Sequence, residues 1–137
     1  MGGKREPMGL CHSHQGMSSS GFRFQNMDIW LRAAKVSTPL FKLAATLNEQ
    51  RLYRFGEQLR AAVLSITNNI AEGSGSASDA EFANFLNISR RSVYEVANML
   101  IMLSRDGYLR TEEVAGLLAE LEEQSRMILA FRRTLKA

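Results

Sequence analysis

Cys11, His12 and His14 carry the side chains most often found as metal ligands or nucleophiles, and they sit together near the amino end. The Cys-His-Ser-His spacing crowds the ligands too closely for a closed tetrahedral site. The chain has one cysteine and two histidines in all, so no further Cys or His ligand exists elsewhere. These residues read as incidental, and neither a metal nor a cofactor is expected. A second candidate is the GSGSAS stretch from Gly73 to Ser78, just ahead of a helix start, where backbone N–H groups can hold a phosphate. No lysine follows as in a nucleotide-binding loop, and Glu72, Asp79 and Glu81 would repel an anion. A plain connection is the better reading. With no histidine outside the amino-terminal stretch and no recognisable phosphate loop, no enzyme is expected.

Charge offers two further constellations. Arg51, Arg54, Arg60, Arg90 and Arg91 gather in the middle of the chain, and Arg126, Arg132, Arg133 and Lys136 near its end. Arg51, Arg54, Arg90, Arg132 and Arg133 are the candidate nucleic-acid contacts. Acidic residues lie among them, no RNA-binding module signature is present, and a solvated mixed surface is the simpler reading. The formal net charge of +3 permits a polyanionic partner without demanding one. The other constellation is a pair of rows at helical spacing: Gln58, Ala62, Ser65, Asn69 and Glu72, then Asn84, Ile88, Arg91, Glu95 and Asn98. Each row reads equally as a solvated face or as a subunit interface. In the second case Arg60, Ser65, Asn69, Glu72, Arg91 and Glu95 are the interface residues. Arg60, Glu72, Arg91 and Glu95 would then be its paired charges, because a buried charge without a partner is costly.

The elements that must position these residues are all helical. Apolar residues recur at three- and four-residue steps in Leu52, Phe55, Leu59, Val63, Ile66 and Ile70, and again in Phe82, Phe85/Leu86, Val93, Val96, Leu100 and Leu103. This pattern predicts helices over about Arg51–Glu72 and Asp79–Ser104. Gly73 stands where a left-handed stop is expected. Ser78 and Glu81 form a capping-box pattern for the next start. A stop, a short link and a start imply an antiparallel hairpin. An earlier helix is expected from about Met27 to Asn48, kinked or interrupted near Val36 by Pro39. A last helix is expected after Arg105–Arg110, capped by Thr111 with Glu112 and Glu113 in its first turn. No strand-like alternation competes. The fold expected is all-α, an antiparallel up-down-up-down four-helix bundle.

The 137 residues, 45% of them hydrophobic, suit one domain. Residues 1–21 read as a flexible tail and 22–137 as the bundle domain. No apolar run is long enough for a bilayer, no secretory signal is evident, and a lone cysteine fits a cytoplasmic setting.

Several of these residues resemble a known family. They are Phe24 through Trp30 to Ala33, Gln58-Leu59-Arg60-Ala61-Ala62, Ser65-Ile66, Asn69-Ile70-Ala71-Glu72-Gly73, Glu81-Phe82 with Phe85-Leu86 and Ile88, Ser92 with Glu95, and Gly107-Tyr108. Together they are similar to the 23S rRNA intervening-sequence proteins. More distantly they resemble the accessory variability protein of diversity-generating retroelements. The resemblance implies a small bacterial cytosolic four-helix bundle, a homopentamer, and an unestablished molecular function. Thr67 stands where the family usually has Pro, and Arg91 where it usually has Gly. The leading expectation is a non-enzymatic homo-oligomeric scaffold that can contact RNA. The alternative is an accessory module for an RNA-processing or reverse-transcribing partner.

Overall fold

The structure, a computed structural model, describes residues 21–136. Cys11, His12 and His14, and all of the expected tail except Gly21, lie outside the described residues. A 3-10 turn, Arg23–Asn26, leads into helix α1, Asp28–Glu49. Helices α2, Tyr53–Ser74, α3, Asp79–Arg105, and α4, Thr111–Arg133, follow. Each helix packs on its sequence neighbours, and α4 returns to α1, which closes an all-α up-down bundle. The core lies on its axis, where Leu40, Leu47, Leu59, Ile66, Leu86, Leu100 and Ile128 are fully buried. Burying one such side chain contributes about 1.5–3 kcal/mol.

Pro39 does not interrupt α1, which runs unbroken through it. The missing N–H would have bonded the Lys35 carbonyl, and both residues are exposed, so water can serve that carbonyl. Gly73 does not stop α2 either. The helix runs on to Ser74 and is capped by Gly75, with φ of −88°. Gly73 is instead a close-packing position. A Cβ there would stand 2.7 Å from the Phe85 Cβ and 2.8 Å from the Phe82 ring. The absent side chain lets α3 approach the end of α2.

Ser78 caps α3 as expected, its hydroxyl accepting the Glu81 N–H at 3.2 Å. Thr111 does not cap α4. Arg110 occupies the cap position, with no side-chain bond to the helix, and Thr111 is the first helical residue. Phe55 departs from the expected core seam. It is 39% exposed, and the buried stripe of α2 runs through Gly56, Leu59 and Val63 instead. Gly56 lies against Asn48 and the Ala44 carbonyl of α1, so the seam passes through a residue with no apolar side chain to announce it.

Candidate functional site

The two polar rows turn inward and outward at once. Along the α2–α3 seam, the Ser65 and Ser92 hydroxyls are 2.8 Å apart and share a hydrogen bond. The Asn69 amide donates to the Ser65 carbonyl at 2.7 Å and to its hydroxyl at 2.9 Å. Deeper in, the buried Ser89 hydroxyl donates to the Ile66 carbonyl at 2.7 Å. Small side chains allow the two backbones to come close, and their hydroxyls are then satisfied across the gap. Ser65 and Asn69 are thus engaged within the chain.

Outside this ladder the α2–α3 pair keeps an exposed face. Ile88, Glu95 and Met102 recur at seven-residue spacing on one stripe of α3, with Ile88 44% and Met102 45% exposed. Arg91 and, on α2, Glu72 are exposed on the same side. Glu72, Arg91 and Glu95 form no ion pair among the described residues, where the two ion pairs are Arg32–Glu120 and Arg126–Glu123. Arg60 does not share this face. Five residues along a helix is a rotation of about 140° from Ser65. That sets Arg60 toward α1, on the side where Gly56 meets Asn48.

The five candidate nucleic-acid residues do not converge. Arg132 donates from Nε to the Ala83 carbonyl at 3.1 Å and braces α4 against α3. Arg90 bonds the Ser125 hydroxyl at 3.0 Å and the Tyr94 hydroxyl at 3.3 Å, with its guanidinium over the Tyr94 ring. It borders an open groove of about 500 Å³ between α3 and α4, floored by Val93, Ala97 and Leu121. Arg133 is exposed near the carboxyl end of α4. Only Arg51 and Arg54 lie together.

These two occupy the end of the bundle where α1 passes to α2 and α3 to α4. Both links close alike. The Leu52 N–H donates to the Leu47 carbonyl, and the Tyr108 N–H to the Leu103 carbonyl, each at 2.9 Å. Each closure requires a left-handed residue just before the donor. Gly107 serves one, at φ of +84°, and Arg51 the other, at +64°. A side chain in that conformation costs about 1–2 kcal/mol. The burial of Leu52 beside it against the core holds the link in place. The first turn of α2 has neither a side-chain cap nor an acidic residue, whereas the first turns of α1, α3 and α4 all carry carboxylates.

Around Arg51 and Arg54 stand three exposed aromatic rings, of which the apolar periodicity names only Phe55, and names it as core. Tyr53 is 59%, Phe55 39% and Tyr108 41% exposed. Phe55 and Tyr108 meet across the two links with ring centroids 5.7 Å apart. The sequence signal for Tyr53 and Phe55 is their position beside two arginines at a helix start. Tyr108 has a cue in the glycine before it.

Among the described residues no three Asp, Glu, His or Cys side chains are grouped to hold a metal, and no helix is long and apolar enough to cross a membrane. The model of the 23S rRNA-intervening sequence protein family matches residues 25–130. A search of curated proteins finds no match. A solved structure is similar: a protein with unknown function from the S23 ribosomal protein family of Bacteroides thetaiotaomicron VPI-5482. It shares 24% identity at a TM-score of 0.72, over 76% of this chain and 97% of that one.

Proposed function

Because the chain belongs to the 23S rRNA-intervening sequence protein family, we propose that it is a non-enzymatic, cytoplasmic, homo-oligomeric scaffold that contacts RNA through exposed arginines. The observation that carries the assembly is the outer α2–α3 face. Half-exposed Ile88 and Met102 lie in line with Glu95, beside Arg91 and Glu72, and these three charges have no ion-pair partner within the described chain. A stripe that alternates apolar side chains with both signs of charge suits contact with a copy of itself, where Arg91 of one subunit meets Glu72 or Glu95 of the next. The family resemblance favours five subunits. The RNA reading draws on the family's name and on Arg51, Arg54 and Arg133, which are exposed and outside any ion pair among the described residues.

Light scattering on the purified protein tests the assembly, with absorbance at the nucleic-acid and protein maxima read on the same peak. The expected mass is a multiple of the 15.3 kDa subunit. The substitutions Ile88→Asp and Arg91→Glu should each lower it. A wild-type protein that stays at the subunit mass at high concentration defeats the scaffold reading. RNA held through phosphates must weaken linearly on a log–log plot against salt. An affinity indifferent to salt removes the arginine contacts from the account. The second reading, an accessory to an RNA-handling protein, is favoured by the open α3–α4 groove with half-exposed Tyr94 and Ile101 at its edges.

A further inference from the structure

We propose that the linked end of the bundle is a stacking platform for unpaired bases of single-stranded RNA, with Tyr53, Phe55 and Tyr108 as the platform and Arg51 and Arg54 on the adjoining phosphates. The inference deepens the RNA reading above and rests on it. Three aromatic rings stand 39–59% exposed at one end of the bundle, whereas the other exposed rings among the described residues, Phe22 and Tyr94, lie elsewhere. Exposed rings of this kind are what unpaired bases stack upon, since every base offers a flat face. The phenylalanine and one tyrosine are held in a tilted contact, 5.7 Å between centroids and 53° between planes, so their orientation is set before any ligand arrives. The second tyrosine opens onto a concavity of about 360 Å³ that it shares with Arg51, Arg54 and Phe55.

Two observations bear on the ligand. The end also carries exposed carboxylates at Glu49, Glu57, Asp106, Glu112 and Glu113, alongside Arg105 and Arg110. Such a mixed surface has no broad positive field, and a duplex keeps its base faces paired and stacked, closed to the rings. Affinity must come from base contact. The second is Arg51 itself. Its counterpart in the other link is glycine, yet here a long cation is held in the left-handed conformation. The link closure sets that conformation, and what it gives the site is the placement of the cation. The conformation turns Arg51 out beside Arg54 at the rim of the aromatic patch.

The test is fluorescence anisotropy with a labelled twelve-nucleotide RNA, offered as a single strand and as a duplex, to the full-length protein. The single strand should bind at least tenfold more tightly. Tyr53→Ala and Tyr108→Ala should each weaken it about fivefold or more. Arg51→Gly and Arg54→Ala should weaken it and make the log–log salt slope shallower by about one phosphate contact each. Lys35→Ala, an exposed cation on α1 away from the linked end, should leave single-strand binding unchanged. Tyr53 is the most exposed of the three rings, so its alanine variant tests the platform without disturbing the core. Equal binding of strand and duplex, unaltered in the tyrosine variants, overturns the platform and leaves the RNA contact standing. Failure of both RNAs to bind the wild-type oligomer overturns both readings.

Discussion

The two ends of the bundle solve the same problem in opposite ways. Where α2 turns into α3, the chain closes tightly. Gly73 lets the Phe82 and Phe85 side chains sit against α2, Ser78 caps α3, and Arg132 reaches from α4 to the Ala83 carbonyl. Phe82 is buried there, with Phe131 at 5.5 Å and the Arg23 guanidinium over its ring. At the opposite end an arginine holds a conformation suited to glycine, a helix starts with neither a cap nor a carboxylate in its first turn, and three rings face water. One end is built for stability. The other departs from the most stable local choice at several neighbouring positions, which is the pattern expected where a surface serves a ligand.

Substitutions at each end sharpen this contrast. The largest effect is expected from Gly73→Leu. Its side chain must enter space already held by Phe82 and Phe85, and the loss should be about 3 kcal/mol or more, read as a drop in the denaturation midpoint. A smaller change there would mean that α2 and α3 separate easily. Next comes Ser78→Ala, which removes the bond to the Glu81 N–H and should cost about 1 kcal/mol. At the open end the sign reverses. Arg51→Gly relieves the left-handed strain, offset in part by the greater freedom of glycine in the unfolded chain, and should raise stability by about 0.5–1 kcal/mol. If that variant is instead destabilised in urea titration, the open end is held for packing and the contrast fails.

Much of this architecture was legible in the chain itself. The two apolar periodicities, the Ser78–Glu81 start and the short Gly/Ser link predict the α2–α3 hairpin, and the helices fall within two residues of the expected limits there. Errors arose where one residue type serves two ends. Glycine at position 73 suits a left-handed stop and a close helix contact equally well, and only the position of α3 distinguishes them. Proline at 39 can interrupt a helix, and here α1 runs through it, the freed carbonyl belonging to the exposed residue Lys35. Threonine at 111 can cap or can be the first helical residue, depending on where the preceding link places Arg110.

The candidate surfaces divide in the same way. Spacing alone put Ser65, Asn69 and Glu72 in one row with Gln58 and Ala62, because helical angle follows from sequence number. Whether a row meets solvent, a copy or its own neighbour does not follow from spacing, since that depends on which helix lies across it. The fold sets α3 opposite Ser65, so Ser92 becomes its partner. It likewise brings Tyr108 to Phe55 across more than fifty intervening residues. Local pattern determined the helices and their apolar stripes, because both depend on near neighbours in the chain. Tertiary structure decided which arginines are bound, which are open and which rings share a surface, because those relations join residues that only packing brings together.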